Sequence, residues 1–150
     1  MPGIVVGVDG SANARYALEW AVEEAAVKNA PLTVVTVNEV AASFWTGNPV
    51  TVPADTVFLE TARKEATELT DKAIAELSDS RPASVTVQAV NGFAADELIE
   101  ASRNADLLVV GARGGAHFHG GMASHSPIGS ISNKVLHHAE CPVVVVPAKK

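Results

Sequence analysis

The chain has 150 residues, 47% of them hydrophobic but only 5% aromatic, and 25 alanines and 22 valines carry most of the apolar share. That length can bury one sizeable core without disulfide or metal staples, and residues 1–150 read as a single domain. The formal net charge is −6 with no run of lysine or arginine, so the electrostatic footprint of a nucleic-acid or anionic-membrane binder is missing.

The opening Met1-Pro2-Gly3-Ile4-Val5-Val6 has no basic stretch before its apolar residues and no long apolar region after them. It reads as a first strand, Ile4 to Val8, and not as a signal peptide. No apolar run approaches the roughly 20 residues that span a bilayer. A first helix follows Ser11 or Asn13, either able to cap it, with Ala14, Ala17, Leu18, Ala21, Val22 and Ala25 on one face. Pro31 bars its continuation. The second strand is Leu32 to Val37. A long connection from Asn38 to Asp55 holds Phe44 and Trp45, which suit packing better than base stacking. The second helix runs from about Thr56 to Ser78, with Phe58, Ala62, Ala66, Leu69, Ala73 and Leu77 at helical intervals.

A third strand, Val85 to Val90, leads to a short helix holding Leu98 and Ile99, and then to a fourth strand, Leu107 to Val110. After the glycine-rich connection from Gly111 to Gly129, a last helix starts near Ser130 with Ile131, Val135 and Leu136 facing inward. The final strand is Val143 to Val146. Most of these strands are continuously apolar, as strands buried on both faces are. The order βαβαβαβαβ predicts an α/β fold: an open parallel five-stranded sheet with helices on both faces. The lone Cys141 cannot form an internal disulfide and reads as a small buried filler, in keeping with a reducing cytoplasm.

In such sheets ligands bind beyond the carboxyl ends of the strands, where the winding direction reverses. Those ends carry Gly7-Val8-Asp9-Gly10-Ser11, Val37-Asn38-Glu39, Asn91-Gly92 and Gly111-Ala112-Arg113-Gly114-Gly115. Glycine recurs at 111, 114, 115, 120, 121 and 129, so backbone N–H groups there can turn toward an anion. The loop ends at Gly129-Ser130-Ile131-Ser132, a helix start whose N–H groups and partial positive charge suit a phosphate. The plainer alternative is that Gly129 or Ser130 only caps the helix and that Asp9 only caps the turn at Ser11. Neither a P-loop lysine nor a G-x-G-x-x-G is present, which disfavours P-loop NTPases and NAD-binding enzymes.

Together V-G-V-D-G-S, V-V-G-A-R-G-G, G-S-I-S-N-K-V-L and the closing C-P-V-V-V-V-P resemble the universal stress protein family over nearly the whole chain. The resemblance implies an adenine nucleotide alpha hydrolase-like, Rossmann-like sheet of strand order 3-2-1-4-5. It also implies a nucleotide signature, G-x2-G-x9-G-(S/T), in whose places Gly111, Gly114, Gly129 and Ser130 stand. Carried over by position, Gly7 and Asp9 border the adenosine and Val37 offers backbone to the adenine. Gly111, Arg113 and Gly114 line the ribose and phosphates, and Gly129, Ser130, Ile131 and Ser132 hold the phosphates of ATP, with Mg²⁺ bound through them. One departure is plain: residues 115–128 number fourteen where the signature has nine, the extra ones falling around Met122 to Pro127. The resemblance further implies a homodimer through the last strand, whose apolar edge invites pairing.

His117, His119 and His125 are possible metal ligands, but no cysteine or carboxylate accompanies them in the loop, and they read as solvated histidines. His137 and His138 suit the end of the last helix. The expectation is a cytoplasmic, ATP-binding regulatory module with no catalytic residues and at most slow hydrolysis. One alternative is an interaction protein of the same fold whose lengthened loop has lost the nucleotide. A phosphoacceptor domain is disfavoured, since the required cluster of acids and a lysine is missing.

Overall fold

The computed structural model describes residues 3–9, 12–39, 56–112 and 129–147, the side chains of residues 12, 13, 39 and 56–58 excepted. Strands and helices alternate through them: β1 (Ile4–Val8), α1 (Ala12–Lys28), β2 (Pro31–Glu39), α2 (Thr56–Ala75), β3 (Ser84–Gly92), α3 (Ala94–Ser102), β4 (Leu107–Gly111), α4 (Ser130–His138) and β5 (Val143–Val146). All strand pairs are parallel, as the residue pattern predicts, and the sheet order is β3-β2-β1-β4-β5, as the family resemblance implies.

The period of two along each strand divides the core into two layers. Ile4, Val6, Val8, Leu32, Val34 and Val109 face α1 and α2, while Val5, Val35, Leu108 and Val110 face α3 and α4. The α1 face is built of alanines at helical spacing, and Ala17, Ala21 and Ala25 have no exposed surface, so the helix backbone lies close on the sheet. Leu18 and Val22 fill the gaps between them. Each such leucine or valine stabilises the fold by about 1.5–3 kcal/mol through burial.

Several boundaries differ from the sequence expectation for local physical reasons. Asn13 lies inside α1 and cannot be its cap; Ser11 lies outside the described residues. Helix α1 stops before Pro31 is reached, because Asn29 adopts a left-handed conformation (φ 48°). Its N–H bonds Ala26 O at 3.2 Å and that of Ala30 bonds Ala25 O at 2.9 Å, a Schellman closure. Pro31 instead opens β2. Helix α2 ends at Ala75, short of Ser78, since Glu76 and Leu77 bond three residues back and tighten the last turn.

Strand β2 runs on to Glu39 and β3 to Gly92, so Val37, Asn38, Asn91 and Gly92 lie within strands and not after them. Strand β3, whose Thr86 and Gln88 interrupt its apolar residues, is an edge strand, and residues 84–86 and Gln88 are exposed. Leu136 does not face inward: it is 39% exposed, and Ser132, at 3%, takes the inner face of α4 with Val135. Cys141 is only partly buried at the margin of the α3/α4 layer, not a fully enclosed filler.

Candidate functional site

The chain passes outward from β1 to β2 and later returns to β4 on the other side of β1, so the winding reverses at β1. A crevice opens there, with about 500 Å³ of space in and in front of it. Its floor is Gly7, Val8 and Asp9 at the end of β1, flanked by Val35 and Val37 of β2 and Val110 and Gly111 of β4. Ala14 of α1, Ala94 and Leu98 of α3, and Ile131 and Ser132 of α4 form the walls. Six of the ten sequence-predicted residues therefore converge from four separate elements or their ends: Gly7, Asp9, Val37, Gly111, Ile131 and Ser132.

The other four are placed differently. Arg113 and Gly114 lie outside the described residues, as do His117, His119, His125, Phe44, Trp45 and the segment from Met122 to Pro127. Gly129 is the residue that caps α4, and Ser130 is its exposed first helical residue. Ser130 faces a second cavity, formed with Phe93, Ala95, Asp96, Ile131 and Lys134.

The start of α4 is fixed to the end of β4 independently of the chain between them. Gly129 N–H donates to the carbonyl of Ala112, the hydroxyl of Ser132 donates to the carbonyl of Gly111, and Ala112 N–H is held by Val146 O at 2.8 Å. A hydroxyl has one proton, so in this arrangement Ser132 ties helix to strand and offers an anion only its neighbouring backbone. The N–H groups of Ser130, Ile131 and Ser132 have no acceptor within the helix.

The cap itself is informative. Gly129 sits at φ −68°, ψ 165°, where any residue is comfortable, and it supplies no side-chain cap to the first turn. Serine or aspartate there would bond one of those N–H groups; glycine leaves them open at a loss of only a few tenths of a kcal/mol. Nor does α4 carry an acid in its first turn.

Gly7 has a packing reason for its missing side chain. A Cβ built there falls 2.8 Å from both Cδ1 and Cδ2 of Leu98, so α3 can close on β1 only over glycine. Asp9, at the mouth of the crevice, is exposed, and it is the one ionisable side chain among the described residues that line it. A carboxylate accepts hydrogen bonds, so Asp9 suits a ligand's donors while the first turn of α4 suits an anion.

Sequence reasoning missed three contributors. Leu98 was recognised as apolar but not as a wall, because its neighbour Gly7 is distant in sequence. Asn38 Nδ2 donates to Asn91 Oδ1 at 3.0 Å, joining β2 and β3 just past Val37; the matched Val-Asn ends of the two strands could have signalled it. Ser102 is buried and accepts from Glu140 N–H at 2.9 Å while donating to Ile99 O at 2.6 Å, which locks the end of α3 to the approach to β5.

Residues 2–147 match the model of the universal stress protein family. A universal stress protein of Mycolicibacterium smegmatis is 35% identical over 145 residues, covering 96% of this chain and 47% of the relative, so the chain spans about half the length of that protein. A universal stress protein solved in complex with cAMP has a TM-score of 0.68 at 24% identity, covering 99% of this chain and 98% of the other. The Archaeoglobus fulgidus universal stress protein solved in complex with dAMP has a TM-score of 0.65 at 20% identity, covering 97% and 98%. With the sheet order, the crevice and the family match in agreement, this chain belongs to the universal stress protein family.

Proposed function

We propose that this chain is a nucleotide-dependent regulatory domain, spanning residues 1–150, that holds ATP in the crevice beside β1. The observation that carries this is the start of α4: a helix N-terminus with no side-chain cap and no first-turn acid, bonded to the end of β4 and opening on a crevice that the acceptor Asp9 also lines. The anion-binding first turn and the acceptor carboxylate together set the orientation. The nucleoside lies over Gly7 and Val37 with its hydroxyl and amino donors toward Asp9, and its phosphates reach the N–H groups of Ser130, Ile131 and Ser132.

Two structural neighbours bound to adenine nucleotides support the same ligand class. The lengthened spacing before Gly129 is compatible with this site, because the bonds from Gly129 to Ala112 and from Ser132 to Gly111 hold the phosphate end in place. Arg113 and Gly114 would add to the phosphate and ribose side, and Mg²⁺ would enter with the phosphates as their counterion. The chain works in the cytoplasm as a homodimer paired through β5, an edge strand of four valines. Occupancy, with at most slow hydrolysis, is its signal.

Isothermal titration of nucleotide-stripped protein with ATP and Mg²⁺ tests this. Saturable binding near one ATP per chain is expected. A folded protein that takes up no heat at millimolar ATP would contradict it and leave an interaction protein of the same fold.

A further inference from the structure

Two cavities share Ile131. The first is the crevice beside β1, whose described lining holds no lysine or arginine. The second lies between the first turns of α3 and α4, and its Lys134 is the one cation among the described residues that line either cavity. Lys134 follows Ser130 by four residues and so shares its face of α4, and helical side chains lean toward the N-terminus. Its ammonium is thus carried back toward the turn where the phosphates are placed above. There Lys134 Nζ meets Asp96 Oδ1 at 2.9 Å, with the side chains 52% and 57% exposed. An exposed pair of this kind is weakly held and readily exchanged.

We propose that Lys134 reads the length of the phosphate chain, a role that rests on the nucleotide assignment made above. The first phosphate is held by backbone at the start of α4. A second phosphate passes Ser130 into the adjoining cavity and takes Lys134 over from Asp96. A monophosphate ends before that point and leaves the ion pair intact. Asp96 then acts as the competitor that keeps Lys134 folded back until a di- or triphosphate arrives.

The test is calorimetric titration of AMP, ADP and ATP, at fixed Mg²⁺, into the wild-type chain and the variants Lys134→Gln, Lys134→Arg and Asp96→Asn, with melting curves to confirm folding. ADP and ATP should bind the wild type about three- to ten-fold more tightly than AMP, as a partly exposed charge-assisted contact allows. Lys134→Gln should remove that preference and leave AMP unchanged, Lys134→Arg should keep it, and Asp96→Asn should tighten ADP and ATP alone. Equal binding of all three nucleotides by the wild type, or a Lys134→Gln variant that keeps the preference or weakens all three alike, overturns the proposal while the nucleotide assignment stands. Failure of every nucleotide to bind the wild type overturns both.

Discussion

Helices α3 and α4 lie side by side on one face of the sheet and both begin at the crevice, yet their first turns are finished differently. Helix α3 carries Asp96 and Glu97 in its first turn, so its partial positive end is met by its own carboxylates. Helix α4 has a glycine cap and no first-turn acid. Neither cap residue makes a side-chain hydrogen bond. The difference teaches that a helix start is not a site by virtue of its dipole alone. What distinguishes α4, among the described residues, is that its own first turn carries no acid and is anchored to β4.

The largest effect should come from closing α4. Gly129→Val combined with Ser130→Ala places a branched side chain over the first-turn N–H groups and removes one hydroxyl. ATP affinity should fall by at least about 100-fold, the order of losing two or more charge-assisted hydrogen bonds. The circular dichroism spectrum should be unchanged, because Gly129 already sits in backbone geometry open to valine.

Next comes the packing of α3. Gly7→Ala puts a methyl group against the buried Leu98, and urea denaturation should show a loss of about 1–3 kcal/mol from overpacking. Adding Leu98→Ala should relieve that clash, so the pair should be non-additive. A smaller change is expected from Ser132→Ala, which frees the Gly111 carbonyl from its partner on α4. Stability should fall by about 1 kcal/mol, and ATP should weaken only modestly, because the hydroxyl positions the helix and the proposed phosphate contacts are to backbone.

The smallest effect concerns Cys141 at the margin of the α3/α4 layer. Burial, then the nearby Asp106, push its thiol above the ordinary range, opposed by a hydrogen bond with the Leu108 backbone. A raised thiol pKa means less thiolate at neutral pH, so alkylation by iodoacetamide should be slower than for a free cysteine and should rise with pH through the alkaline range.

Much of the fold was legible because its signals are local. Runs of valine separated by alanine-rich helical stretches marked all five strands and four helices, and the six predicted core residues of α1 are buried. What escaped was set by contacts between distant residues. Leu136 and Ser132 exchanged their expected faces because Ser132 finds an acceptor in Gly111 across the crevice, a partner that helical period alone cannot reveal. On β3 the polar Thr86 and Gln88 are exposed as their residue types suggest, whereas the exposure of Val85 follows from the strand's edge position. At the crevice, six of the ten residues that the sequence singled out line one cavity. The same sequence could not tell a glycine kept for a ligand, as proposed for Gly129, from one kept for packing, as Gly7 is for Leu98.

That distinction admits a direct measurement. Gly129→Asp gives α4 the acidic cap that its neighbour's first turn already resembles, and it should hold or raise the melting temperature, since aspartate is a strong N-cap residue and favourable at a helix start. If the first turn of α4 is the phosphate site, the same substitution should abolish ATP binding in calorimetric titration. A Gly129→Asp variant that folds, melts no lower than the wild type and still binds ATP with undiminished affinity would contradict the assignment.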